Sequence, residues 1–92
     1  MIGEIVKKYR ASQQMTLRDF AEALSIDSQT VSYETIRNWE EGKYQPRYHF
    51  FIALMMCTKD WRRDFAIDCL SFIKPDIYKP ITEIGRSAIQ GE

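Results

Sequence analysis

Apolar residues recur at helical spacing through the first quarter of the chain, and this pattern predicts two helices. The apolar face of the first helix consists of Ile2, Ile5, Val6 and Tyr9. That of the second consists of Leu17, Phe20, Ala21 and Leu24. Thr16 is a suitable N-cap for the second helix, and Asp19 stands at the capping-box position. We therefore expect the first helix to end near Ala11 and the second to end near Leu24 or Ser25.

A polar connection and a third helix are predicted next. Residues 25–31 combine hydroxyl and β-branched side chains, which favours a connection that is either irregular or contains one helical turn. Ser32 is a good N-cap, and Gly42 is suited to close the helix that follows. On that helix the apolar face holds Ile36 and Trp39, and the opposite face holds Tyr33, Glu34, Arg37 and Asn38.

Two further helices are predicted before the chain becomes irregular. The fourth, residues 47–57, is apolar almost all round and has Pro46 at a position suited to its first turn. The fifth, about residues 61–73, is capped by Thr58 or Asp60 and is ended by Pro75. The sequence thus predicts an all-α, five-helix domain over residues 1–74, with a short C-terminal tail at 75–92.

Composition and charge narrow the classes of function. The chain has 92 residues, of which 45% are hydrophobic, and this suits one small packed domain. Its 13 Lys and Arg residues are balanced by 13 Asp and Glu residues. A protein that binds nucleic acid through a general surplus of positive charge is therefore excluded. Nucleic acid as such is not excluded, because only the surface that meets the phosphates must be basic.

Neither catalysis nor a metal site is indicated. The single histidine, His49, has no ligand spacing with Cys57 or Cys69, and the four glycines form no phosphate-binding loop. We expect no enzyme activity, no metal and no cofactor. The N-terminal residues do not resemble a signal peptide, and the longest apolar run, 50–57, is too short to cross a bilayer. A cytoplasmic location with reduced thiols is the expectation.

Two short helices joined by a connection, with a third helix behind them, form the plan of a helix-turn-helix domain. The residues resemble the phage repressor/Cro (XRE) family of DNA-binding domains over about the first 55 positions. The resemblance is carried by Ile2-Gly3-Glu4, Arg10, Thr16, Phe20-Ala21, Val31-Ser32, Thr35-Ile36, Trp39-Glu40, Gly42-Lys43 and Pro46.

The chain departs from the family pattern at two places. Extra residues in the region 25–29 lengthen the turn before the recognition helix. With a gap there, the helix starts after Ser32; without a gap, it would start at Ser28 and bring Gln29 toward the DNA. We favour the gapped alignment. The second departure is Leu17, where the family often has a glutamine that touches a phosphate, so that role would fall to Arg18 or to backbone amides.

The resemblance implies a sequence-specific transcriptional regulator, repressor-like, that binds a palindromic operator in double-stranded DNA. It implies base contacts from Tyr33, Glu34, Arg37 and Asn38. It implies phosphate contacts from Arg18, Ser32, Lys43 and Arg47. It also implies that Arg10 and Glu40 form a structural ion pair. Arg37 suits guanine, Asn38 suits adenine and Glu34 suits cytosine, while Tyr33 either packs on a thymine methyl or holds a phosphate.

The fifth helix is apolar on two sides, and this pattern suggests a partner surface. We expect a homodimer whose face is formed by Trp61, Phe65, Cys69 and Phe72, with two recognition helices about 34 Å apart. In the alternative, the chain is monomeric and Ile77, Tyr78, Ile81 and Ile84 of the tail cover that helix. A second function is also open: an antitoxin-like or adaptor protein that binds another protein through helix 5 and the tail. The long turn, the acidic Glu34 and the zero net charge favour it.

Overall fold

The computed structural model describes residues 2–73, and these residues form five α-helices. The helices are α1 (Ile2–Ser12), α2 (Leu17–Leu24), α3 (Tyr33–Glu40), α4 (Tyr48–Cys57) and α5 (Trp61–Ile73). The predicted all-α class with five helices is confirmed. The predicted tail at 75–92 lies outside the described residues, and so do the tail residues expected to cover α5. The helices fall into two compact units, Met1–Arg47 with α1 to α3 and a second that begins at Tyr48.

The beginnings of α2 and α3 follow from their capping residues. The Thr16 hydroxyl accepts a hydrogen bond from the backbone N–H of Asp19 at 3.1 Å. The Ser32 hydroxyl accepts one from the backbone N–H of Thr35 at 3.3 Å. Each bond satisfies a donor that the first helical turn leaves free. Both predicted N-caps are confirmed. They could be predicted from the sequence because capping joins residues only three positions apart.

α3 ends in a Schellman motif. Gly42 adopts a φ of 76°, a left-handed conformation that glycine reaches without steric cost. The N–H of Gly42 then donates to the carbonyl of Trp39 at 3.2 Å, and the N–H of Lys43 donates to the carbonyl of Asn38 at 2.9 Å. The C-cap is Glu41, so the predicted C-cap, Gly42, lies one position beyond the actual one.

The connection between α2 and α3 contains a tight turn instead of a helical one. The backbones of Ile26 and Gln29 exchange two hydrogen bonds, of 2.8 and 3.1 Å, across Asp27 and Ser28. The Ser25 hydroxyl donates to the carbonyl of Ala21 at 2.9 Å and accepts from the N–H of Val31 at 3.0 Å. The extra residues are absorbed here, so the longer helix that would start at Ser28 is wrong.

The core of the first unit comes from one face of each of its helices. α2 packs against α3, and α1 also packs against α3. The buried apolar side chains are Ile2, Val6, Phe20, Ala21, Leu24, Ile36 and Trp39. Ile36 and Trp39 are therefore core residues, as predicted, and they hold the inner face of α3. On the opposite face of α3, Glu34 and Arg37 are exposed.

The second unit is built from α4 and α5, which pack against each other. The rings of Phe51 and Phe65 meet edge to face, with 5.7 Å between their centroids. The buried hydroxyl of Thr58 donates to the carbonyl of Leu54 at 2.6 Å and so closes α4. Asp60 caps α5, because its carboxylate accepts from the N–H of Arg62 at 3.0 Å. The side chain of Arg62 also bonds this carboxylate and holds the pKa of Asp60 below its usual range.

The residues expected to form a dimer face on α5 divide into two groups. Phe65 and Cys69 are completely buried, so they belong to the core and cannot form a dimer face. Trp61 is half-buried, and Phe72 is 47% exposed. The prediction is thus corrected for Phe65 and Cys69. A pattern of apolar residues shows how wide the apolar surface of a helix is, but it does not show which part its neighbours cover.

The two cysteines lie in different surroundings and should therefore differ in reactivity. Cys57 is exposed and Cys69 is buried, and burial raises the pKa of the Cys69 thiol well above its ordinary value. We expect a thiol reagent such as Ellman's reagent to modify Cys57 rapidly in the native protein. Cys69 should react only as fast as local opening of the structure allows. In Cys57→Ser the fast phase should vanish, whereas in Cys69→Ala it should persist. Two fast thiols in the wild-type chain would contradict this.

Within residues 2–73, no helix has both the length and the apolar character needed to cross a bilayer.

Candidate nucleic-acid interface

The outer face of α3 carries the four residues predicted to contact bases. Glu34 and Arg37 are exposed, whereas Tyr33 and Asn38 are half-buried. All four lie on a single short helix whose opposite face is anchored in the core. α3 therefore presents two charged side chains of opposite sign and one amide side chain along one surface. Such groups match the hydrogen-bond donors and acceptors of base edges in the major groove.

A cluster of two arginines around one tyrosine lies at the start of this face. The guanidinium carbon of Arg18, from α2, lies 4.4 Å from the centroid of the Tyr33 ring. That of Arg37, one turn along α3, lies 5.8 Å from the same centroid. We call these three residues the arginine–tyrosine cluster. Sequence analysis missed it, because the contact between α2 and α3 is tertiary; the only signal was an arginine in the first turn of α2 and a tyrosine opening α3.

An open groove adjoins the cluster between α2 and the segment that leads into α3. Its volume is about 250 Å³, and it is lined by Arg18, Ala21, Glu22, Ser25, Val31, Ser32 and Tyr33. Two of the predicted phosphate contacts, Arg18 and Ser32, thus share one concave surface. The carboxylate of Glu22 stands in the same lining and opposes an anion there, so the favourable position for a phosphate lies on the Arg18 side.

The two other predicted phosphate contacts lie beyond the opposite end of α3. Lys43 is 63% exposed, and its ammonium lies 3.2 Å from the carboxylate of Glu41. Arg47 is exposed and closes the first unit. Since α3 has eight residues, its two ends are roughly 12 Å apart. The structure therefore does not gather the four phosphate contacts into one patch. Arg18 and Ser32 lie at the start of α3, and Lys43 and Arg47 lie beyond its end.

An ion pair fixes α3 against α1. Arg10 donates two hydrogen bonds to the carboxylate of Glu40, with lengths of 2.6 and 3.1 Å. A third bond runs from the Arg10 guanidinium to the carbonyl of Met15 at 3.2 Å. The Glu40 side chain is only 7% exposed and that of Arg10 is 29% exposed. The bonds to Glu40 raise the pKa of Arg10. Arg10 and Glu40 thus form the expected structural pair and take no part in the outer surface.

A second contact between α1 and α3 depends on Gly3. A Cβ atom at this position would lie 2.6 Å from the carbonyl oxygen of Trp39 and 2.8 Å from that of Glu40. Both distances are far shorter than a carbon–oxygen contact permits, so α1 can approach the end of α3 this closely only with glycine there. Gly3 and Arg10 together determine how α3 is presented.

The described residues contain no cluster of three or more side chains that could hold a metal ion. Comparisons with protein-family models, with curated proteins and with solved structures each find no match to this chain.

Proposed function

We propose that this chain is a sequence-specific DNA-binding regulator of the repressor type, with α3 as the recognition helix in the major groove. The observation that carries the proposal is the outer face of α3. This face presents Arg37 and Glu34 to solvent, while Ile36 and Trp39 fix its back in the core. A capped helix with base-matching side chains on one face and a packed helix behind it suits groove entry.

Each side chain on this face has a role that its chemistry supports. Arg37 suits the O6 and N7 acceptors of guanine, Asn38 suits adenine, and Glu34 accepts from the amino group of cytosine. A good bidentate contact contributes about 1–3 kcal/mol of discrimination. Arg18 and the N-terminal amides of α2 suit a phosphate, a role that the half-buried Leu17 cannot fill.

We further propose that the active form is a cytoplasmic homodimer without a cofactor. Two recognition helices about 34 Å apart would read a palindromic operator. The dimer face would include the exposed Phe72 and the half-buried Trp61 but not the two buried residues of α5. Sedimentation equilibrium of the free protein should then give twice the mass of the chain, and the complex should contain two chains per duplex. The mass of one chain at all concentrations would contradict the dimer.

A salt titration of binding to random duplex DNA tests the proposal. Three cationic phosphate contacts per chain, or six per dimer, predict a slope of log affinity against log salt of about −5. If Glu41 keeps its ion pair with Lys43, the slope should be nearer about −4. A neutral chain should therefore bind random DNA weakly. No binding at low salt by a chain with native circular dichroism would overturn the proposal.

Two substitutions separate base reading from phosphate binding. Arg37→Ala should weaken binding to the preferred duplex by about 1–3 kcal/mol per half-site and leave binding to random DNA nearly unchanged. Lys43→Ala should weaken both equally and, because the dimer loses two cations, should reduce the salt slope by about 2. Lys59→Ala, at an exposed lysine between α4 and α5, is the matched control and should change neither. If Arg37→Ala and Lys43→Ala behave identically, α3 is not docked as proposed.

A second candidate function is an antitoxin-like or adaptor protein. The observation that favours it is the apolar surface of the second unit, where Met56 is 76% and Phe72 is 47% exposed. Side chains of this kind suit a protein partner better than DNA. Absence of DNA binding at low salt, together with a stable complex with another protein that Phe72→Asp abolishes, would favour this function over the first.

A further inference from the structure

We infer that Tyr33 is a positioning residue that couples Arg18 to Arg37, so that one contact to the DNA backbone and one contact to a base edge form a single unit. The inference rests on the proposed function for its ligand and deepens it. It assigns Tyr33 a different role from the direct base contact that the sequence predicted. The geometry that points to it is the arginine–tyrosine cluster, which joins α2 to α3 on the outer surface of the first unit.

The distances place both guanidinium groups within reach of the ring. The guanidinium carbons lie 4.4 Å and 5.8 Å from its centroid, and attraction between a cation and an aromatic face extends to about 6 Å. Arg18 and Arg37 are both exposed, whereas Tyr33 is half-buried. A half-buried ring at the start of a capped helix moves less than the two long side chains around it. The ring therefore restricts the arginines, and not the reverse.

The same contacts oppose a direct base contact by Tyr33. The Arg18 guanidinium lies over the ring, 4.4 Å from its centroid, so that side of the ring is not available to a thymine methyl. Two like charges near one ring also repel each other, and the electron-rich face offsets that repulsion. An anionic phosphate beside Arg18 would relieve it further. Binding of the backbone on the α2 side should consequently favour the position of Arg37 from which a guanine is read.

The first test uses the free protein and needs no DNA. In the nuclear magnetic resonance spectrum, the side-chain δ protons of Arg18 should be shifted upfield by the ring current of Tyr33. Tyr33→Phe keeps the ring and should keep the shift, whereas Tyr33→Leu should abolish it. Arg18→Lys retains the charge without the planar group, and it should lose the stacked geometry. Arg18 protons at ordinary positions in the wild-type chain would overturn the inference.

The second test measures duplex binding in the same variants. Tyr33→Phe should bind as the wild type does, and Tyr33→Leu should bind about fivefold to thirtyfold more weakly, the scale set by two exposed cation–aromatic contacts. The loss should be larger on the preferred duplex than on random duplex, because the Arg18 contact serves both whereas the position of Arg37 matters only where a guanine is read. Tyr44→Leu makes the same exchange at an exposed tyrosine after α3 and should have no effect.

A double-mutant cycle shows whether the residues act together. Arg18→Ala should cost less affinity in the Tyr33→Leu background than in the wild type, since the ring no longer holds the arginine. Strictly additive losses would overturn the coupling. Equal losses in Tyr33→Phe and Tyr33→Leu would also overturn it, because the hydroxyl and not the ring would then be in contact with DNA. A native circular dichroism spectrum of Tyr33→Leu would exclude loss of fold as the cause. Weaker binding by Arg18→Lys, which keeps both the ring and the charge, would exclude it independently.

The two tests distinguish this inference from the proposed function. If the wild-type chain binds no duplex, the proposed function and the role of the cluster in DNA binding both fail. The ring-current shift would still show whether Tyr33 orders the two arginines. If the chain binds duplex and the shift is absent, only the inference fails.

Discussion

Replacing Arg10 with methionine is expected to lower the free energy of unfolding by about 3 kcal/mol, the lower end of the range for removing one partner of a buried ion pair. The carboxylate of Glu40 is 7% exposed, and its two hydrogen bonds from Arg10 would be lost. The carbonyl of Met15 would lose a donor as well. Methionine fills similar space but cannot donate a hydrogen bond. Urea denaturation monitored by circular dichroism measures the change.

Three further variants interpret that result. Glu40→Gln should cost less, about 1 kcal/mol, because the guanidinium of Arg10 is 29% exposed and can be hydrated. Combining Arg10→Met with Glu40→Leu should recover much of the loss, since no buried charge remains. Arg62→Met breaks the exposed pair with Asp60 and should cost under about 1 kcal/mol. A double variant no more stable than Arg10→Met would show that the Glu40 charge is not the cause.

Gly3→Ala is expected to destabilise the chain by about 2 kcal/mol, although alanine favours helices more than glycine does. The added methyl group would meet the carbonyl oxygens of Trp39 and Glu40 at 2.6 and 2.8 Å. These are backbone atoms at the end of α3, so relief requires α1 and α3 to move apart. The gain in helix propensity is at most about 1 kcal/mol and cannot offset this strain.

The reverse exchange at an exposed position provides the control. Ala11 lies on the outside of α1, so Ala11→Gly measures the propensity contribution alone, up to about 1 kcal/mol of destabilisation. Gly3→Ala adds a methyl group and Ala11→Gly removes one. If both substitutions destabilise the chain, the close approach of α1 and α3 at Gly3 is established. If Gly3→Ala instead raises the midpoint of urea denaturation, the two helices are not in contact at this position.

Local features of the sequence predicted the helices well. Thr16 and Ser32 cap helices through bonds to residues three positions away, so their effect can be inferred without knowledge of the fold. The same holds for Gly42, whose positive φ closes α3. The periodicity that identified Ile36 and Trp39 as core residues is likewise a property of one helix. The all-α class followed from such signals.

Features that depend on contacts between helices could not be predicted in this way. The Tyr33 ring lies beside Arg18 only because α2 and α3 pack together. The burial of Phe65 and Cys69 depends on what surrounds α5, so their apolar character alone suggested an exposed face. The turn between Ile26 and Gln29 depends on a pair of backbone hydrogen bonds that no side-chain pattern marks.

The equal numbers of acidic and basic residues in the chain are reflected in ion pairs between them. Glu40 is paired with Arg10 in the interior of the first unit, and Glu41 is paired with Lys43 at the surface. The proposed interface consequently relies on a few placed cations, and base contacts must supply much of the affinity. For this reason the proposal predicts weak binding to random DNA and a strong sequence preference.

Selection of bound sequences from a random duplex pool tests the central claim most directly. The wild-type chain should enrich one palindromic sequence, and Arg37→Ala should enrich a sequence in which the preference for guanine at one position of each half is relaxed. Lys59→Ala should enrich the wild-type sequence. Failure of the wild-type chain to enrich any sequence, or an unchanged preference in Arg37→Ala, would contradict sequence recognition by α3.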